Sequence, residues 1–97
     1  MPFEILLAPE AVDDLRRLSA ATRARVREAM ETHLRYEPRK VSKGRIKRLR
    51  GLSKPQFRLR VDDVRVFYDV AENAVQVLAI VAKEDAEEWL QEAGEIS

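Results

Sequence analysis

Residues 57–70 read FRLRVDDVRVFYDV and carry the clearest structural pattern in this 97-residue chain. Apolar and polar residues alternate on both sides of Asp62-Asp63, as in two half-buried strands joined by a two-residue turn. If the strands pair symmetrically about that turn, Val61 lies opposite Val64. The stretch therefore predicts a β-hairpin with a defined register.

The same register brings three arginines to one face of the sheet. Arg60 lies opposite Arg65, and Arg58 points to the same side because residues two apart in a strand share a face. Like charges opposite each other cost stability, so the set requires either acids or a bound anion. Phosphate is well matched, because a guanidinium donates two parallel hydrogen bonds to its oxygens. The alternative is neutralisation by nearby acids, namely Asp62, Asp63, Asp69 or those of the last helix.

Phe67 shares the strand face of Arg65, since the two residues are two positions apart. An aromatic side chain beside arginines can stack on a nucleic-acid base. The commoner arrangement is an aromatic ring covered by a helix, and the last helix offers Trp89 and Leu90 for that contact. We therefore expect Phe67 to be packed inside the protein.

Strand patterns also occur outside the hairpin, which itself spans residues 56–61 and 64–70. Residues 3–7, FEILL, predict a short apolar strand. Residues 74–82 include VQVLAIVA, which is almost continuously apolar, as expected of an interior strand. Residues 46–50, IKRLR, are either the end of a loop or a short edge strand.

Three segments show helical periodicity. Pro9 suits the first turn of a helix, where its missing N–H costs nothing, and Ser19 or Thr22 can cap a second helix. A last helix is predicted from Glu84, and Gly94 can stop it. One side of the second helix carries Val26, Met30, His33 and Leu34 at helical spacing.

The predicted order of elements is β-α-α-β-β-β-α. It defines an α+β fold, an antiparallel sheet with an N-terminal helical hairpin on one face and a C-terminal helix, in a single domain over residues 1–97. The longest apolar run is too short to cross a membrane, and the N-terminus has no basic region typical of a signal peptide. We expect a cytoplasmic protein with no membrane partner.

Charge is distributed unevenly, although the net charge is only +1. The span between Pro38 and Val61 holds ten bases and no acid, whereas the chain from Glu84 onward holds six acids and no base. A dense basic span favours a polyanion such as RNA, because binding releases counterions from the phosphates. The alternative is a basic face exposed to solvent. The candidate RNA-binding residues are Lys43, Arg45, Lys47, Arg48, Arg50 and Lys54.

Composition excludes several kinds of site. The chain has no cysteine and one histidine, so it offers neither a thiolate site nor a multi-histidine metal site. Its three glycines are dispersed, so no glycine-rich phosphate loop is present. His33 lies on the apolar side of its predicted helix, where a position at the edge of the core is commoner than a catalytic role. We expect no metal and no cofactor.

Four segments together carry a family pattern: FEILLAPEAVDDLRRL, RLRGL, FRLRVDDVRVFYDV and VQVLAIVAK. In these segments the chain resembles the RelE/ParE superfamily of toxins from bacterial type II toxin–antitoxin modules, and RelE-like members in particular. The resemblance covers about residues 3–93, and the predicted order of elements matches that fold. It implies a cognate antitoxin protein as partner.

The resemblance also implies one of two activities. RelE-like toxins enter the ribosome and act as endoribonucleases: a 2′-hydroxyl attacks the adjacent phosphate, mRNA is cut without a metal, and translation is inhibited. ParE-like toxins share the fold and inhibit DNA gyrase. A third alternative is a diverged, non-catalytic member that binds its antitoxin. The basic span and the three arginines favour mRNA cleavage.

Four site residues follow from the resemblance. Arg58 and Arg60 match the basic residues of the catalytic strand, Arg65 matches the arginine that holds the scissile phosphate, and Lys83 lies at or next to a further basic position. One part of the pattern is missing. Residues 83–90, KEDAEEWL, contain neither the additional arginine or histidine nor the tyrosine of nuclease members.

Overall fold

The computed structural model describes residues 1–96 and confirms the α+β class and the predicted order of the main elements. It adds two short strands, β3 and β7, that the sequence did not predict. A 3-10 turn at Lys83–Asp85 leads into the last helix. The elements are β1 Glu4–Leu7, α1 Pro9–Arg17, α2 Ala20–Leu34, β2 Ile46–Arg48, β3 Leu52–Lys54, β4 Phe57–Val61, β5 Val64–Val70, β6 Ala74–Ala82, α3 Ala86–Ala93 and β7 Glu95–Ile96.

Five strands form the main sheet in the order β1-β6-β5-β4-β2, and β3 pairs with β7 separately. Strands β2, β4, β5 and β6 pair antiparallel, and β2 is an edge strand, one of the two alternatives for this segment. β1 differs from the predicted antiparallel arrangement because it runs parallel to β6. No tight turn joins these two strands, so the antiparallel geometry that a hairpin imposes does not apply to them.

Side-chain hydrogen bonds hold the helical hairpin together. Ser19 caps α2 as predicted, since its hydroxyl accepts from the Thr22 N–H at 3.2 Å. Arg23 of α2 reaches back to the end of α1, where its guanidinium donates to Leu15 O at 3.1 Å and to Leu18 O at 2.9 Å. Carbonyls at a helix end lack partners within the helix, so this arginine satisfies groups that α1 leaves free.

The main hydrophobic core lies between this hairpin and one face of the sheet. Val26, Met30 and Leu34 contribute from α2 at the predicted spacing, and Leu59 and Val66 contribute from β4 and β5. Full burial of one such aliphatic side chain contributes about 1.5–3 kcal/mol before the cost of ordering the chain. The predicted apolar periodicity therefore corresponds to the packed side of α2.

The last helix lies against the opposite face of the sheet. Gly94 ends α3 as predicted, and its N–H donates to Leu90 O at 2.8 Å. A Cβ at Gly94 would lie 2.5 Å from Leu90 O and 3.3 Å from Leu52 Cδ2, so the chain turns at a point where a side chain does not fit. β7 then pairs with β3. No helix in the described part of the chain is long and apolar enough to span a membrane.

Candidate anion-binding site

The β4–β5 hairpin positions the arginines. Its turn is Asp62-Asp63, as predicted, and Asp62 has a φ of 52°, a left-handed conformation that aspartate tolerates better than most residues with a side chain. The register is also the predicted one, with Arg60 opposite Arg65. Arg58, two positions before Arg60, lies on the same face. The predicted convergence of the three arginines is therefore confirmed; their catalytic role remains a prediction.

Neighbouring segments add to the basic character of this face, which we call the arginine face. Lys47 of β2 lies opposite Arg58, and its side chain is exposed. The Arg60 N–H donates to Arg45 O at 2.8 Å. The Arg60 guanidinium lies close to Gly44, since a Cβ built on that glycine would be 3.7 Å from Arg60 Nη1. Three adjacent strands thus contribute bases to one surface.

Arg65 is the most buried of these bases, with 8% of its surface exposed. Its Nη1 donates to Asp62 O at 2.8 Å and to Val64 O at 3.0 Å, which holds the guanidinium at the turn end of the hairpin. The Nε and Nη2 groups donate to no acceptor within residues 1–96. These N–H groups remain available to a ligand.

Arg58 is half-buried beside the other two arginines. Burial lowers its pKa, and the charges of Arg65 and Arg60 lower it further. Its Nε is buried and has no hydrogen-bond partner within residues 1–96. A buried N–H without an acceptor costs about 1–3 kcal/mol.

The acids near the hairpin make other contacts. Asp62 forms an ion pair with Arg25 of α2 at 2.7 Å. Asp69 accepts a hydrogen bond from the Gln56 N–H at 2.8 Å, at the far end of the hairpin. Within residues 1–96, no ion pair joins an acid to any of the three arginines. The alternative in which acids of the hairpin or of α3 pair with these arginines is therefore wrong for this part of the chain.

Phe67 lies beneath α3 on the arginine face, opposite Arg58. Its side chain is fully buried, and its ring stacks on Trp89 with the centroids 4.9 Å apart and the planes 12° from parallel. The prediction that Phe67 is packed is confirmed. Because Phe67 is fully buried and Trp89 covers its ring, the ring is not accessible to a nucleic-acid base.

Lys83 lies at the same end of the sheet as the hairpin turn. It begins the 3-10 turn after β6, its side chain is exposed, and its N–H donates to Asp63 O at 2.7 Å. That hydrogen bond ties the start of the last helical segment to the turn that holds Arg65. A pocket at this point is lined by Asp63, Ala82, Lys83 and Glu84.

The six predicted RNA-binding bases do not share one face. Lys47 lies on the arginine face, whereas the guanidinium carbon of Arg48 lies 5.1 Å from the ring centre of Phe57, a residue of the main core. Successive side chains of a strand point to opposite faces, which separates these two neighbours. Lys43 and Arg50 are exposed in the loops on either side of β2.

Arg45 and Lys54 contact other parts of the molecule. Arg45 lines a groove with Arg25 and His33, between α2 and the hairpin turn. Burial lowers the pKa of His33, and the charge of Arg45 lowers it further. Lys54 lies near the half-buried Asp69, whose pKa is raised by burial. Arg45 therefore lies on the α2 side of the sheet, and Lys54 lies at the end of the hairpin away from the Asp62-Asp63 turn.

Two contacts that support the hairpin were not predicted from the sequence. Arg25 is 37 residues away from Asp62 along the chain, and no motif or spacing signals their pairing. Gln56 closes the opposite end of the hairpin, because its side-chain oxygen accepts from the Val70 N–H at 2.9 Å while its own N–H donates to Asp69. Both contacts depend on how the elements pack.

The chain thus has a five-stranded sheet with a helical hairpin on one face and three arginines on the other. Residues 5–86 match the family described as ParE toxin of type II toxin-antitoxin system, parDE. The chain therefore belongs to this toxin family. No curated protein sequence matches it.

Solved structures share the fold. The archaeal RelE–RelB complex from Pyrococcus horikoshii OT3 matches with a TM-score of 0.70 and 26% identity, over 86% of this chain and 97% of that chain. The RelBE2 toxin–antitoxin complex from Mycobacterium tuberculosis matches with a TM-score of 0.69 and 25% identity, over 84% and 99%. A double arginine mutant of Escherichia coli toxin RelE in the free state shows the same fold, with a TM-score of 0.71 and 23% identity over 96% and 95%.

Proposed function

We propose that this toxin cleaves mRNA on the translating ribosome, without a metal ion, by promoting attack of a 2′-hydroxyl on the adjacent phosphate. The 2′-oxygen loses its proton and bonds to phosphorus as the P–O5′ bond breaks, and the departing 5′-oxygen takes up a proton to leave as a hydroxyl. The observation that carries the proposal is the convergence of Arg58, Arg60 and Arg65 on one face with no acidic partner among residues 1–96. A phosphodiester supplies the negative charge that these arginines require. Its paired oxygens also match the parallel donors of a guanidinium.

The arginines suit the transition state of this reaction. Attack on a phosphodiester concentrates negative charge on the phosphorus oxygens, and fixed positive donors stabilise that charge more than they stabilise the ground state. Arg65 is held in place by two carbonyls, and Arg58 carries a buried N–H that lacks an acceptor. Arginine stays charged at neutral pH and transfers protons poorly, so we assign proton transfer to Lys83.

The remaining bases are proposed to contact RNA around the cleaved phosphate. Lys47 is exposed next to Arg58, and Lys43 and Arg50 are exposed in the adjoining loops. Arg45 and Arg48 lie on the α2 side of the sheet, and Lys54 lies near Asp69 at the far end of the hairpin. These positions suit a partner that surrounds the toxin, as ribosomal RNA does. A ribosomal substrate implies a cytoplasmic site of action.

A cognate antitoxin is the proposed protein partner. The matching structures from P. horikoshii and M. tuberculosis are toxin–antitoxin complexes. In this chain, a groove beside edge strand β1 is lined by apolar and charged side chains, which together suit an amphipathic segment: Ile5, Leu7, Leu15, Met30, Arg27, Glu31 and Arg35. Coexpression with the product of a neighbouring small open reading frame should give a complex that survives purification.

Gyrase inhibition is the second candidate, and the description of the matched family favours it. Residues 83–90 also contain no histidine or tyrosine for proton transfer near the arginines. An inhibitor of gyrase, or a diverged member that only binds its antitoxin, needs no such group.

A reconstituted translation reaction on a defined mRNA separates these functions. Wild-type toxin should cut the message in phase with the codons, and only when ribosomes are present. Arg60→Ala should slow cleavage about 10²–10³-fold through lost charge stabilisation, whereas Arg16→Ala, at an exposed arginine of α1, should not. Intact mRNA with loss of plasmid supercoiling by gyrase would establish the second candidate instead. Intact mRNA with unaffected gyrase would leave antitoxin binding as the function.

A further inference from the structure

Asp62, in the hairpin turn, connects helix α2 to the guanidinium of Arg65 through two hydrogen bonds. Arg25 Nε donates to Asp62 Oδ2 at 2.7 Å. Asp62 is the residue with a φ of 52°, and its carbonyl oxygen accepts from Arg65 Nη1 at 2.8 Å. The side chain of Asp62 therefore contacts α2 while its backbone contacts the arginine face.

We infer that Asp62 is a positioning residue for Arg65, acting through the left-handed backbone that aims its carbonyl at the guanidinium. The inference rests on the proposed phosphate site and adds to it a residue that does not touch the phosphate. Arg25 assists by tying the Asp62 side chain to α2. The remaining acceptor for Arg65 is Val64 O, which belongs to the same hairpin.

The direction of the Asp62 carbonyl depends on its backbone conformation. Aspartate, asparagine and glycine adopt a positive φ with little strain, whereas a β-branched residue strongly resists it. If the turn changes, Arg65 loses one of its two carbonyl acceptors. A long side chain that is no longer held must then be ordered when the anion binds, which weakens binding.

The ion pair itself is expected to be the smaller contribution. The side chains of Arg25 and Asp62 are 55% and 62% exposed, and exposed ion pairs stabilise little. The backbone of Asp62 should therefore matter more than its carboxylate. The two contributions can be separated by variants that all remove the Asp62 charge but differ in how readily they adopt its backbone conformation.

The experiment compares Asp62→Asn, Asp62→Gly and Asp62→Val, which all remove the same charge. The probe is a single-stranded RNA oligonucleotide with 2′-O-methyl groups, which cannot be cleaved, and its affinity is measured at several salt concentrations. Asp62→Asn and Asp62→Gly should bind alike, and Asp62→Val should bind about tenfold more weakly, as expected for one lost arginine contact. For Asp62→Val, the slope of log affinity against log salt concentration should be smaller in magnitude by about 0.7, the value for one phosphate contact on a single strand.

Two further measurements make the result decisive. Asp62→Val combined with Arg65→Ala should bind no more weakly than Arg65→Ala alone, because both changes act on one contact. In NMR spectra, the guanidinium N–H signals of Arg65 should stay distinct in Asp62→Asn and average in Asp62→Val. If Asp62→Val does not fold, Asp62→Ala replaces it and should bind the oligonucleotide more weakly than Asp62→Asn.

Equal affinity, equal salt slope and an unchanged Arg65 signal in Asp62→Val and Asp62→Asn would overturn the inference. Failure of the wild-type toxin to bind the oligonucleotide is a separate outcome, because it concerns the affinity of the arginine face for RNA in the absence of the ribosome. The NMR comparison would still show whether Asp62 holds the guanidinium of Arg65.

Discussion

Arg60 and Arg65 lie directly opposite each other on β4 and β5, and no acid within residues 1–96 pairs with either one. Like charges at paired strand positions destabilise a sheet. The free toxin therefore keeps two like charges at paired strand positions of its proposed site. Binding of an anion removes that repulsion, so stability and anion affinity are linked at these two residues.

Replacing Arg60 should stabilise the free protein. Arg60→Gln removes the cross-strand repulsion and should raise the free energy of unfolding by about 0.2–1 kcal/mol in urea denaturation at low ionic strength. Added salt should reduce the gain, because it screens the repulsion in the wild type. Arg16→Gln, at an exposed position of α1, is the matched control. The same gain in both variants would show that the effect reflects total charge and not this pair.

Tyr68 should be needed for stability through its hydroxyl group. The residue is fully buried, and its hydroxyl donates to Pro38 O at 2.8 Å. Tyr68→Phe leaves that carbonyl without its donor and should lower the free energy of unfolding by about 1–3 kcal/mol. Tyr36→Phe is the control, because Tyr36 is 67% exposed, and it should change stability by less than about 0.5 kcal/mol. Similar losses in both variants would contradict a role for the buried hydrogen bond.

His33 should titrate below the ordinary histidine pKa. Burial lowers its pKa first and the charge of Arg45 second, and it is the only histidine in the chain, so one NMR titration reports it directly. The folded chain binds fewer protons than the unfolded chain between the lowered pKa and about 6.5, so stability rises with pH across that window and is lost as pH falls.

Arg45→Gln should raise the pKa of His33 by removing the nearby charge. Arg48→Gln is the control, because Arg48 lies over Phe57 and is not among the groups that shift His33. A titration curve of His33 that is unchanged by Arg45→Gln would contradict the assigned contact.

Phe67 and Trp89 should be energetically coupled. Their rings stack with centroids 4.9 Å apart, and a double-mutant cycle with Phe67→Leu and Trp89→Leu should give a coupling energy of about 0.5–1.5 kcal/mol. Trp89 is the only tryptophan, so its fluorescence in Phe67→Leu also reports the position of α3. Additive losses would show that the two rings contribute independently. As a control, a double-mutant cycle with Leu49→Ala and Trp89→Leu measures the coupling of Trp89 to a residue that is not part of the Phe67–Trp89 stack.

The hairpin could be predicted closely from residues 57–70. Alternation and a turn pair are local features, and they specify both the register and the face of each side chain. β3 and β7 could not be predicted, because strands of two or three residues carry no periodic pattern. β1 could be predicted as a strand but not as a parallel neighbour of β6, since no local signal describes that pairing.

The candidate site was likewise only partly predictable from the sequence. The alternation of side chains along the strands was sufficient to place Arg58, Arg60 and Arg65 together. It was not sufficient to show that Asp62 turns toward Arg25, or that Arg65 is buried against the turn carbonyls. The basic span also reads as continuous in sequence, although strand alternation and packing distribute its members over several surfaces.

Local residue order was thus enough to establish the α+β class, the hairpin register and the shared face of the arginines, because strand and helix periodicities are set within a few residues. Three-dimensional packing was required to show that the arginines have no acidic partner in residues 1–96 and that α3 covers Phe67. Ion pairs, burial and hydrogen bonds of this kind join residues far apart in the chain. Their geometry exists only after the helices and the sheet have come together.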